Sequence, residues 1–179
     1  MSRLGKKPIV FNSSINVEVS NNVLNITGPL GSLNCSLSND ITVNLVGNSI
    51  TVDRLSDSKS AKSLHGMFRS IIANMVHGVS HGFTKKMYMS GIGYRVQKKG
   101  NSLEFSLGYS HPVNFDAPEG IDFIVDGQDK FEVSGISNEL VGETCAKIKK
   151  LRKKDPYKAK GIFFEDEIIR KKQGKSVKK

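Results

Sequence analysis

The chain has 179 residues, 37% of them hydrophobic, and a formal net charge of +10; that suffices for one medium core or two small ones and excludes a disordered polycation. No apolar run approaches the ~20 residues needed to cross a bilayer, residues 1–10 lack the apolar stretch of a secretory leader, and two cysteines are too few for a disulfide framework. The chain therefore reads as a mature intracellular polypeptide whose Cys35 and Cys145 are small core residues.

Up to about Arg54 apolar residues alternate as in half-buried strands, at Ile15, Val17 and Val19, at Leu24 and Ile26, at Leu33, Cys35 and Leu37, at Ile41, Val43 and Leu45, and at Ile50 and Val52. Turn formers separate these runs at Asn21-Asn22, Gly28-Pro29, Asn39-Asp40 and Gly47-Asn48. A helix is predicted next, capped at Ser56 or Asp57, with Ala61, Leu64, Phe68, Ile71, Ile72, Met75 and Val76 on one stripe and Gly78 or Gly82 at its end.

The plan then repeats. Strand-like alternation returns at Tyr94 and Val96, Leu103 to Leu107, Val113 and Phe115, Ile121 to Val125, and Phe131 and Val133, followed by a helix capped at Ser137 or Asn138 and carrying Val141, Cys145 and Ile148 inward. Asn22 to Ile26 matches Asn101 to Phe105, Gly47 matches Gly127, and Leu55-Ser56 matches Ile136-Ser137, an offset of about 80 residues. Two copies are too few for a solenoid, which needs about three. The expected fold is therefore α+β, with two tandem duplicated domains, each an antiparallel β-sheet with one packed α-helix, followed by a basic C-terminal extension. The boundaries are residues 1–82, 83–152 and 153–179, with the joint near His81 to Lys86.

The charge is uneven. Residues 1–145 hold 13 basic and 13 acidic side chains, whereas residues 146–179 hold 14 basic and 4 acidic ones. Such a block repels itself unless a polyanion or counterions screen it, so phosphate-rich partners are favoured over a small-molecule substrate. The candidate contacts are Lys147, Lys149 and Lys150 on the polar side of the second helix, then Arg152, Lys153, Lys154, Lys158, Lys160, Arg170, Lys171, Lys172 and Lys175. Tyr157 and Phe163-Phe164 interrupt the run, either pinning the extension to the body or stacking on a base. With 7% aromatic residues and no Trp, recognition led by stacked single strands is disfavoured.

Gly91-Ile92-Gly93-Tyr94-Arg95 is not a dinucleotide loop, because the third glycine of that pattern would fall at Val96 and an alternating strand follows. It reads as a strand bend, with Arg95, Lys98 and Lys99 available to phosphate. His77 and His81 have metal-pair spacing on a helix, but Gly78 and Gly82 should interrupt that helix and no third ligand is nearby. His111 reads as a turn residue or an RNA contact, since no nucleophile or carboxylate accompanies it. No catalytic motif is present, so neither an enzyme nor a cofactor is expected.

Taken together, several stretches resemble one family, the bacterial-type large-subunit ribosomal protein six. They are the opening Met1 to Ile9, Leu64-His65-Gly66 with Arg69 and Asn74-Met75-Val76, Gly91 to Arg95 with Leu107 to Val113, and Asp155 to Ile162. Local departures are Lys153-Lys154 where prolines are expected, Ala159 where glycine is frequent, and Phe163 where a basic residue is common. The resemblance implies a non-enzymatic, ribosome-bound cytoplasmic protein that contacts large-subunit ribosomal RNA and neighbouring large-subunit proteins, near the sarcin-ricin loop and the stalk base. Carried over by motif, the RNA contacts are Gly91, Gly93, Tyr94 and Arg95, Ser110, His111 and Pro112, and the span from Arg152 through Tyr157 and Gly161 to Lys175, with His65 and Arg69 as lesser candidates. The competing reading is a polybasic adaptor or translation regulator that binds RNA or anionic membrane transiently, although no amphipathic anchor or lipidation site supports a membrane partner.

Overall fold

Short runs of alternating Val, Ile and Leu, punctuated by Asn and Gly turns, give antiparallel strands throughout residues 5–174, which are the residues described by the structure, a computed structural model. Two units form. One extends to Gly82 and includes Ile136–Asn138; the other comprises Phe83–Gly135 and the chain from Glu139.

The first unit contains strands β1 (Ile9–Val10), β2 (Asn16–Ser20), β3 (Val23–Gly28), β4 (Gly31–Ser36), β5 (Ile41–Val46) and β6 (Ser49–Arg54), then helix α1 (Lys59–His81). The strands make two three-stranded sheets, in the orders β2-β3-β4 and β1-β6-β5. Asn21 and Asn22 both take positive φ, 48° and 61°, which closes β2 onto β3 in the tight turn that matches strand twist. The helix supplies Phe68, Ile72, Met75, Val76 and Val79 to a core with Leu24, Ile26, Ile50 and Val52.

The N-cap of α1 and its passage through Gly78 differ from expectation, while its end at Gly82 is one of the two stops expected. Its N-cap is Ser58, whose hydroxyl accepts from the Ala61 amide at 3.1 Å, whereas Asp57 is engaged by Arg54 and Ser56 bonds to Ser58. The helix also continues through Gly78 and stops only at Gly82, which takes φ 73° and donates its N–H to the Gly78 carbonyl. His77 and His81 thus share the last turns of an uninterrupted helix, with their rings stacked 5.1 Å apart.

The second unit contains β7 (Phe83–Ser90), β8 (Arg95–Lys99), β9 (Ser102–Ser106), β10 (Val113–Asp116), β11 (Ile121–Asp126), β12 (Lys130–Gly135), α2 (Asn138–Leu151) and β13 (Gly161–Phe164). Its sheets repeat those of the first unit. The order β8-β9-β10 corresponds to β2-β3-β4, and β7-β12-β11 corresponds to β1-β6-β5. Even the register is kept: Val17 opposes Ile26 in the first copy, and Val96 opposes Phe105 in the second. The chain is a tandem duplication of one α+β plan, each copy dividing its strands between two small antiparallel sheets beside one helix. Val141, Cys145 and Ile148 of α2 join the second core with Phe105, Phe123 and Phe131. Burial pushes the Cys145 thiol up to about 11.

Two strands of this unit were not legible as strands. The expected joint between domains is occupied by β7, an inner strand of a four-stranded sheet, in which Met87 and Met89 are buried while Lys85 breaks the apolar alternation. Residues 161–164, expected in the extension, form β13 and pair with β7, placing Phe163 opposite Tyr88. Phe163 is 1% exposed and meets the Tyr88 ring edge-on at 3.9 Å. Of the two alternatives for the Phe163-Phe164 pair, pinning to the body is the one formed.

Candidate nucleic-acid interface

All but one of the candidate residues carried as main RNA contacts lie in the second unit among the described residues; Lys175 lies outside them. Gly91 to Tyr94 forms a tight turn, with the Tyr94 amide donating to the Gly91 carbonyl at 3.2 Å, and Gly93 takes φ 76°. A Cβ on Gly91 would lie 2.7 Å from the Tyr94 ring, so only glycine leaves room for that ring to fold back. The same ring lies against Gly108, at the start of the exposed loop holding Ser110, His111 and Pro112. Tyr94 and Gly108, 14 residues apart in sequence, are thereby brought to one place, and their two motifs with them.

Arg152, just past the end of α2, reaches both. Its Nε donates to the Tyr94 hydroxyl oxygen at 3.1 Å, and its guanidinium stands 5.0 Å from the centre of the Tyr109 ring. Tyr109 in turn donates its hydroxyl to the Leu151 carbonyl at 3.0 Å. Hydrogen bonding to Tyr109 and then Tyr94 raises the arginine above its ordinary pKa. Tyr109 lay outside the expected contact set; its motif was recognised, but nothing in composition or spacing distinguished it.

The loop that follows is built on Asp155. Its carboxylate accepts from the Tyr157 and Lys158 amides at 3.1 Å each, and these bonds hold it below the usual carboxylate range. The Asp155 amide donates to the Lys160 carbonyl at 2.7 Å, and the Ile162 amide donates to the Arg152 carbonyl at 3.0 Å, which closes a hairpin. Ala159 takes φ 55° in this hairpin, a left-handed conformation that suits the glycine expected there. Gly161 is buried, with φ 138°, and a Cβ on it would strike the Lys154 backbone at 2.7 Å. Its part is to let β13 pass closely, not to meet solvent. The Lys172 amide returns to the Pro156 carbonyl at 2.9 Å, so Arg170 to Lys172 come back over the loop carrying exposed Tyr157 and Lys158.

The cations are not equivalent. Lys154 and Lys149 both donate to Glu167, Lys149 at 2.6 Å, and Lys149 also sits 5.0 Å from the Phe164 ring centre. Partial burial opposes ionisation of Glu167, yet the hydrogen bonds from Lys149 and Lys154 prevail and lower its pKa to about 2. Lys99 pairs with Glu104, Lys98 donates to the Phe123 carbonyl at 2.7 Å, and Lys147 pairs with Glu143 at 2.9 Å. By contrast, the side chains of Arg95, Lys150, Lys153, Lys158, Arg170, Lys171 and Lys172 are exposed and make no hydrogen bond or ion pair among the described residues.

In the first unit, His65 is a core residue, 2% exposed. Its Nε2 lies 2.7 Å from the Val52 carbonyl oxygen, which can only accept, so the proton is on Nε2 and Nδ1 accepts from Arg54 at 3.4 Å. It is unavailable to RNA. Arg69 donates through Nε to the Lys7 carbonyl at 3.2 Å. Among the described residues no group of three metal-ligating side chains occurs, and no helix is long and apolar enough to cross a membrane.

A family model described as ribosomal protein L6 matches residues 11–82 and again residues 90–164, once on each copy of the duplicated plan. The chain is 47% identical over 176 residues to the large ribosomal subunit protein uL6 of Syntrophomonas wolfei subsp. wolfei (strain DSM 2245B / Goettingen), covering 98% of both chains. The chain belongs to the ribosomal protein L6 family. It is also 48% identical over 178 residues to the protein of the same name from Tropheryma whipplei (strain Twist), covering 99% of this chain and 100% of that one. The second L6 match takes in the Gly91 turn, Arg152, the Asp155 hairpin and β13, and it stops before Arg170 to Lys172.

Proposed function

We propose that the chain is a non-enzymatic structural constituent of the large ribosomal subunit, bound in the cytoplasm to large-subunit ribosomal RNA and neighbouring proteins. The observation that carries this reading is the near-full-length likeness to proteins named for that subunit. The RNA-facing surface is the one carrying the Gly91 to Arg95 turn, the Ser110 to Pro112 loop and the unpaired cations from Lys153 to Lys172. Helical RNA hides its base edges in a deep, narrow groove, so contacts to backbone and shape dominate there. The first unit carries +3 of the net charge of +10, less than the +7 of the second copy with its extension, and acts mainly through its fold. Placement beside the sarcin-ricin loop and the stalk base follows from the family resemblance, and makes the protein a brace for the region that receives translation factors.

The test is sedimentation of the tagged chain from lysate through a sucrose gradient, with a high-salt wash of the ribosomal fractions. Retention on large subunits at near-equal stoichiometry is expected. Loss in the wash, or recovery mostly at the top of the gradient, would replace this reading with that of a transient polybasic binder.

A further inference from the structure

Counting charges assigns Arg152 to phosphate, but its geometry gives it other work. The guanidinium already has one N–H on the Tyr94 oxygen at 3.1 Å and its central carbon over the Tyr109 ring, 5.0 Å from the ring centre. Those two tyrosines belong to the Gly91 turn and to the loop that begins at Gly108, and Tyr109 is itself tied to the Leu151 carbonyl at the end of α2. One side chain therefore closes three separate segments into a single surface. A planar fork with donors fixed in its plane holds both rings in one geometry, whereas a lysine ammonium is a compact point charge on a flexible stem. Arg95 and Lys153, which flank this cluster in sequence, have no ion-pair partner among the described residues.

We infer that Arg152 is a positioning residue of the RNA-binding surface, which sets the Gly91 turn and the Ser110 to Pro112 loop against the end of α2 before RNA arrives, and that it does not neutralise a phosphate. The inference rests on the RNA-binding reading above. A side chain that preorganises a surface contributes affinity by reducing the ordering cost of binding. One that neutralises a phosphate contributes a released counterion, and so a measurable part of the salt dependence. These two contributions separate experimentally.

The experiment uses the full chain, protein-free large-subunit ribosomal RNA as the probe, and filter binding between 50 and 300 mM KCl (roughly the range in which counterion release is readable). R152K keeps the charge and loses the fork; it should weaken binding about tenfold, about 1.4 kcal/mol, with the slope of log affinity against log salt unchanged. Y94F removes the acceptor and should give a loss of similar size. The double variant should bind no worse than the weaker single one, because both break the same contact. K153Q should instead reduce the magnitude of the slope by about 0.7 to 0.9. Thermal unfolding of each variant confirms that it is folded, and Y94F carries the test if R152K is not. Wild-type binding by R152K, additive losses, or a slope reduced by one phosphate in R152Q and restored in R152K would each overturn the inference. A wild-type chain without salt-dependent binding would overturn the RNA reading itself, and this inference with it, a result recognisable before any variant is measured.

Discussion

Glu167 illustrates how much one residue can alter a count of charges. Each of its oxygens takes a lysine, Lys149 on one and Lys154 on the other, so two cations that the sequence offers to a polyanion are already answered within the fold. The arrangement has a pH signature. Folding lowers the carboxyl from its ordinary 4.5 to about 2, so its contribution to stability is complete above about 4.5 and is lost as pH falls through about 2. E167Q should therefore lower the urea midpoint at neutral pH by the equivalent of roughly 1–2 kcal/mol, less than the full linkage value because a fifth of the side chain meets water. The gap between the two proteins should close as the pH is taken from about 5 towards 2. A gap that stays constant across that range would show that Lys149 and Lys154 are not held this way. His65 gives the same lesson from the other side, since its type and family motif suggest a contact while its ring is enclosed in the first core.

At the scale of the element, β13 decides where the basic segment goes. Four residues suffice because Phe163 and Ile162 are both buried and Gly161 permits the close approach to Lys154 that begins the strand. The glycine is needed for two reasons, its φ of 138° and the lack of space for a Cβ. F163A removes a ring that is packed on Tyr88 and should cost about 3–5 kcal/mol, read as a lower denaturant midpoint. It should also raise hydrogen exchange at Phe163 and Glu165, whose amides face β7 (that of Glu165 donates to the Lys86 carbonyl), before the rest of the sheet, since the strand is at an edge and is anchored by this ring. Equal protection in F163A and wild type would mean that the strand is held by its backbone pairing alone. β13 was not legible in the sequence because four apolar residues within a run of lysines carry no period to read. The central strand β7 was missed for a related reason: Lys85 stands at the position where alternation requires an apolar side chain.

At the scale of the whole molecule, one α+β plan has been used twice and only the second copy has acquired the extra strand and the basic hairpin. The net charge of +10 divides as +3 on residues 1–82, +1 on residues 83–152 and +6 on residues 153–179, so the excess belongs to the extension carried by the second copy. With Lys98, Lys99, Lys149 and Lys154 engaged internally, seven candidate cations stay exposed and unpaired among the described residues; with about six of them on phosphate, log affinity for large-subunit ribosomal RNA should fall with log salt at a slope of roughly −4 to −5. Replacing Lys171 and Lys172 by Gln should lessen that slope by about 1.4 to 1.8. A slope near zero would exclude recognition led by phosphate.

The sequence by itself determined what is carried by local order along the chain. The 2-residue and 3.6-residue apolar periods, their recurrence at Leu24 and Leu103 or at Gly47 and Gly127, and the position of the charge all follow from side-chain identity and spacing, so the α+β class, the duplication and the family were legible without coordinates. Tertiary structure alone decided which charged groups face solvent unanswered. Lys98 is answered by the carbonyl of Phe123, Lys154 by Glu167, and Arg152 by Tyr94 and Tyr109, partners brought near only by folding. Whether a cation is a contact or part of the frame depends on such distant neighbours, because electrostatic attraction and hydrogen bonding act through space, over a few ångströms, irrespective of separation along the chain.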